Sequence, residues 1–184
     1  MFKEIRRKEK RLTVEECNEI LTKAEYGTLA TMGFDDYPYA VPLNYVYHNR
    51  SIYFHCATVG HKLDNIANCS NVSFNVVTDV CVVPLIPDVE FNESNSKFSG
   101  FDTNFNSVII FGKANEVFEE EKLDVLSAFL KKFLNVNQYN KYKEAGIKYI
   151  KKSFKRTKLI KIEIVQMTGK RGIRKNRQIQ GKQH

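Results

Sequence analysis

No uncharged apolar run in these 184 residues exceeds seven positions; the longest is Val80 to Ile86. That is far short of the roughly 20 residues a helix needs to cross a bilayer. The first residues, MFKEIRRKEKR, carry charge throughout and lack the apolar stretch of a secretory signal. A soluble, cytoplasmic protein with no membrane partner is the expectation. There are four cysteines and no CxxC pair, so neither a zinc knuckle nor a redox pair announces itself. Cys17, Cys56, Cys69 and Cys81 are expected to be buried, reduced thiols. There is no GxGxxG after a strand, no P-loop lysine motif, no GxSxG, no HExxH and no internal repeat. The enzyme classes that announce themselves by such motifs are therefore excluded.

What is present is a core and an uneven charge. Hydrophobic residues make up 42% of the chain, enough for a packed globule, and the length suits one domain over residues 1–184. The net charge of +8 resides at the ends. Residues 1–12 hold six basic and two acidic side chains, and 169–184 hold six basic and none acidic. The segment between them is close to neutral. Ends of this composition, 1–12 and 172–184, are expected to be solvated and flexible. They would bind nucleic acid only through phosphate, without sequence preference. A share in an anionic ligand site at the end of the fold is the other use for them.

Periodicity gives the elements. Thr13 and Glu16 have the spacing of a capping box, ahead of an apolar helical face of Cys17, Ile20, Leu21 and Ala24. Strands are predicted over Gly27–Met32, Tyr39–Tyr47, Ile52–Cys56, Val72–Val77, Ser107–Val117 and Thr157–Met167. Pro42 cannot donate to a ladder, which places a bulge or a sheet edge there. Gly112 reads as a second bulge. A short helix follows Gly60, a long one covers Glu119–Leu134, and helical propensity resumes after Asn140. Pro84–Asn106 is rich in Asn and Ser and reads as a long loop. Six strands with short helices outside them predict a mainly β, antiparallel barrel.

The stretch IYFHCATVGHKLDNI, 52–66, carries the chemistry. His55, Cys56, His61 and Cys69 are all metal-ligand types, but adjacent strand residues point to opposite faces, so His55 and Cys56 cannot share a site. Too few ligands remain for a metal. Gly60-His61-Lys62 stands where a loop enters a helix, a place suited to phosphate. A solvated lysine on a surface helix accounts for Lys62 equally well.

Residues 27–76, GTLATMGFDDYPYAVPLNYVYHNRSIYFHCATVGHKLDNIANCSNVSFNV, resemble the FMN-binding split barrels of the pyridoxamine 5'-phosphate oxidase type. Within them they resemble the nitroimidazole-resistance branch. The similarity continues through SVIIFGKA (107–114) and IKIEIVQMTGKR (160–171). The resemblance implies a six-stranded split barrel, a homodimer, and FMN in grooves between the subunits. Val41, Pro42, Leu43 and Asn44 would then run beside the isoalloxazine ring. His55, Cys56 and Ala57 would lie near the flavin, with His55 the catalytic candidate, and His61 and Lys62 would hold the phosphate. Ser107 would be a polar flavin contact. His61 stands where the oxidases often show arginine, and the arginine-rich C-terminal strand that holds pyridoxamine phosphate has no counterpart. A small oxidised or nitroaromatic substrate is therefore the expectation, reduced through FMN. The alternatives are a flavin- or heme-binding carrier or sensor, and a basic-tailed nucleic-acid-binding protein.

Overall fold

One residue, Tyr45, separates the two edge strands of the sheet. The computed structural model describes residues 2–83 and 102–172. In chain order its elements are α1 (Val14–Lys23), β1 (Tyr26–Met32), β2 (Pro38–Asn44), β3 (Val46–His48), β4 (Ser51–Cys56), α2 (His61–Asn68) and β5 (Asn71–Val83). There follow β6 (Asp102–Glu116), α3 (Glu119–Phe133), α4 (Val136–Ser153) and β7 (Lys158–Arg171). The strands form one sheet in the order β2-β1-β5-β6-β7-β4-β3, antiparallel throughout. Because β2 stops at Asn44 and β3 starts at Val46, the outer edges of the sheet must meet, and the sheet curls into a split barrel.

Tyr45 fastens that seam. It is fully buried. Its hydroxyl donates to the Leu21 carbonyl of α1 at 2.8 Å. Its carbonyl accepts from Lys132 Nζ of α3 at 2.9 Å, and its ring meets Phe74 edge-on at 5.0 Å. The single strand expected over 39–47 is thus broken in two, which makes seven strands where six were expected. Pro42 sits on edge strand β2, where a missing donor costs little.

Alternation splits the core. Ile52 and Phe54 of β4 point into the barrel with Leu29, Phe74, Ile110 and Ile162. Tyr53, between them, points outward into a second cluster with Val125, Phe129, Ile150 and Leu159, where α3 and α4 cover β3, β4 and part of β7. Helices α1 and α2 contribute Leu21, Leu63 and Ile66 to the interior cluster. The capping box of Thr13 and Glu16 is formed. The register between β6 and β7 shifts between Phe111 and Gly112, as the Gly112 reading anticipated. A Cβ on Gly112 would collide with the Glu163 carbonyl oxygen, so the close approach of the two backbones requires glycine there.

Three expectations need correction. The loop expected over Pro84–Asn106 ends early, because 102–106 already belong to β6; residues 84–101 lie outside the described residues. The last strand runs on through Lys170 and Arg171, so the basic end begins inside the sheet; residues 173–184 lie outside the described residues. Of the four free cysteines only Cys17 is fully buried, and Cys81 is exposed. At the other end, residues 2–12 lie against the sheet. Phe2 stacks on Phe111 at 4.8 Å, and the Leu12 N–H donates to the Gly169 carbonyl at 2.9 Å.

Candidate flavin-phosphate site

The C-terminal end of β4, the N-terminus of α2 and the edge strand β2 converge. Between β4 and α2 the link Ala57–Gly60 is exposed. Gly60 adopts φ 140° and ψ 160°, with nothing near a would-be Cβ, so glycine serves the backbone conformation there and not a shortage of space. The Gly60 carbonyl accepts from the N–H groups of Leu63 (2.8 Å) and Asp64 (3.2 Å). No side chain caps the helix. The amides of His61 and Lys62 therefore face outward at the positive end of the helix dipole, an arrangement suited to an anion.

Tyr39 ties this terminus to β2. Its ring lies 4.3 Å from that of His61, tilted by 39°. Tyr39, Val41 and Leu43 share the half-buried side of β2, and Val41 and Leu43 pack on the interior cluster. Pro42 and Asn44 take the exposed side. The Asn44 amide donates to the Glu25 carbonyl at 3.2 Å and anchors the end of the strand. Val41–Asn44 and His61–Lys62 are thus neighbours, joined through Tyr39.

Cys56 and His55 part company, as alternation demands. Cys56 is half-buried and packs on the interior cluster. Burial pushes its thiol up, and the nearby charges of Lys62 and Lys158 only partly oppose this. It is a protonated thiol, not a nucleophile. His55 takes the other face of β4, opposite Leu159 of β7, with its ring edge-on to Phe129 at 4.9 Å. His55 is exposed overall, and the partial desolvation of its ring beside α3 lowers its pKa from the ordinary value, favouring the neutral imidazole.

Ser107 is brought to neither group. It sits on β6 between Val77 of β5 and Lys170 of β7, three strands from β2. At about 4.8 Å per strand that is roughly 14 Å. Its surroundings are the uncovered outer face of the sheet. There Thr28, Ser73, Asn75, Val77 and Ile109 belong to neither core cluster. Asn75 Oδ1 is buried and has no hydrogen-bond partner.

A model of the pyridoxamine 5'-phosphate oxidase family matches residues 13–171. The chain belongs to that family. Among solved structures, this family member resembles a candidate 5-nitroimidazole antibiotic resistance protein from Bacteroides thetaiotaomicron. The two are 20% identical over 87% of this chain and 85% of that one, with a TM-score of 0.64. An FAD-binding protein of Mycobacterium smegmatis is 22% identical over 88% and 98%, with a TM-score of 0.55. An FAD- and heme-binding protein of the same organism is 15% identical over 89% and 73%, with a TM-score of 0.64. No curated protein matches the chain significantly. These likenesses establish the split-barrel fold. Among the described residues no helix is long and apolar enough to cross a membrane.

Sequence reasoning missed two residues beside this candidate site. Tyr39 could have been found, because strict alternation puts it on the face of Val41 and Leu43. Asn65 could not. It is fully buried, and its amide donates to Thr31 Oγ1 at 3.0 Å, holding α2 against β1. A lone polar residue in a short amphipathic helix gives no sign of which strand it will meet.

Proposed function

We propose that this protein binds FMN as a homodimer and uses it to reduce a small oxidised, nitroaromatic compound. The observation that carries the reading is the uncapped N-terminus of α2 beside an open sheet edge. A lysine in the first turn opposes the helix dipole unless an anion lies between them. Lys62 stands there with two outward amides, and a phosphate satisfies all three donors. The residues present fit the group. The phosphate would be held by His61, Lys62 and the backbone of the first turn. The open edge at Val41–Asn44 would offer backbone groups to the ring system, while Cys56 and Ala57 line its approach. FMN, when bound, supplies the two-electron chemistry. His55, exposed at the end of β4, can take up a proton at a ring nitrogen. Ser107 can meet a flavin lying along β2 only from a second copy of the chain, which supports the dimer.

The absorption spectrum of the purified protein tests the reading. Oxidised flavin bands, retained on gel filtration or restored by added FMN, are expected. After anaerobic reduction, a nitroimidazole should reoxidise the bound flavin within a mixing experiment. A chain that takes up no FMN sinks the proposal. Stable reduced flavin beside excess nitroimidazole would favour a carrier instead, a reading supported by the likeness to a heme- and FAD-binding fold.

A further inference from the structure

The two basic ends, 160 residues apart in the chain on the order of magnitude of its whole length, meet at one corner of the fold. Arg11 pairs with Lys170 in an isolated antiparallel bridge, and the Gly172 N–H donates to the Phe105 carbonyl at 2.7 Å. Between these segments lies a cavity of about 290 Å³ whose lining includes Arg6, Arg7, Lys10, Lys170 and the ring of Phe105. Among the described residues no carboxylate lines it. Two nearby acids are engaged elsewhere: Glu4 with Lys8 at 3.8 Å, and Glu16 with Arg171 at 3.0 Å. Lys10 and Lys170 are half-buried, so their repulsion is less screened than at an open surface. Four cations lining one concavity, with no counter-charge on it among the described residues, favour an anion.

We propose that this corner binds a small ligand carrying two linked phosphates, of the nucleoside diphosphate type. A single phosphate bears about −1.5 to −2 at pH 7, which would leave about half of the four charges unmatched. Two linked phosphates, with roughly −3 in a terminal diphosphate ester, match them more closely. Arg6 and Arg7 offer planar forks suited to phosphate oxygens, and the two lysines add point charges. Phe105 supplies a flat apolar wall for a base; the Lys170 ammonium now lies 5.4 Å from its centroid and would turn to the phosphate. The volume is close to the lower limit of small-molecule sites, about 300 Å³. A local, partly open concavity suits such a ligand better than a nucleic-acid backbone, which asks for an extended stripe of charge. The site shares no residue with Gly60–Lys62 and does not depend on the flavin reading.

Calorimetric titration of the full chain with ADP, with and without excess FMN, tests this at physiological salt. One ADP per chain is expected in both cases, adenosine should not bind, and Lys10→Ala/Lys170→Ala should weaken ADP at least about tenfold. Arg6→Glu, at an exposed position, should do the same without touching the packing. Equal ADP affinity in wild type and Arg6→Glu would overturn the proposal. So would displacement of ADP by FMN, which would make the corner a flavin site. A single-stranded oligonucleotide that binds more tightly than ADP and loses affinity in the same variants would overturn it in favour of a nucleic-acid surface.

Discussion

Lys132 holds Tyr45 twice: its ammonium donates to the Tyr45 carbonyl at 2.9 Å and lies 4.0 Å from the centroid of the same ring. Helix α3 thereby grips the one residue at which the barrel's edges meet. Burial pushes the Lys132 pKa down to about 8, against a weaker opposing pull from Glu25. Above that pH the folded chain releases a proton that the unfolded chain keeps until near 10.4. Unfolding free energy should therefore rise between pH 8 and 10, by up to about 1.4 kcal/mol per pH unit from this group. Urea unfolding of wild type and Lys132→Met at about pH 7 and about pH 9, roughly a unit either side of the shifted value, reads the difference. The same gap at both pH values would show that Lys132 does not titrate there.

Lys62→Ala should weaken FMN about ten- to a hundredfold, as expected for loss of one charge-assisted hydrogen bond. Riboflavin, which lacks the phosphate, should bind both proteins equally. Fluorescence quenching with the two ligands separates phosphate recognition from ring recognition. Unchanged FMN affinity would return Lys62 to the solvated surface.

His55, though exposed overall, should titrate below the ordinary histidine range, because partial desolvation of its ring beside Phe129 disfavours the cation. On acidification the unfolded chain takes up this proton first, so stability falls as pH drops from the unfolded pKa towards the folded one, then levels. Ring-proton NMR reports the titration directly. Phe129→Ala, by opening the contact to water, should move it upward; a His55 that titrates normally in wild type contradicts the packing described.

The outer face around Asn75 and Ile109 should bury itself against a second copy. Ile109 is 38% exposed in the single chain. A dimer is expected at micromolar concentration by sedimentation. Ile109→Arg should give a folded monomer that loses FMN, since one chain alone cannot bring Ser107 to β2. A wild-type monomer with FMN bound would defeat this arrangement.

Much of the fold was legible where local rules and tertiary packing agree. The capping box at Thr13, the apolar face of α3 and the position of the Gly112 bulge all follow from spacing. The break at Tyr45 did not show, because Tyr39–Tyr47 is apolar enough for one strand and only closure of the sheet decides where it must change edges. Asn104 to Asn106 read as loop, yet Asn106 pairs with Arg171 and Ser107 with Lys170. There the ladder overrides propensity, and both strands outrun their own composition. The start of α4 was available and overlooked: Asn135 and Gln138 form a capping box, so the helix begins at Val136, not after Asn140. At the site, the types of residue were legible. Which face His55 chose, and how far Ser107 lies from β2, depend on strand order, which periodicity does not encode.

The bridge between Arg11 and Lys170 also governs the order of assembly during synthesis. The segment ahead of α1 has its partner in the last strand, so it stays without one until β7 has left the ribosome. Strand β1 likewise waits for β5, and β4 for β7. Among the described elements, the hairpins β1–β2, β3–β4 and β5–β6 and the α3–α4 pair can form from neighbours in the chain. A chain truncated before β7 should therefore hold its three hairpins and no closed barrel, exposing the interior face to aggregation.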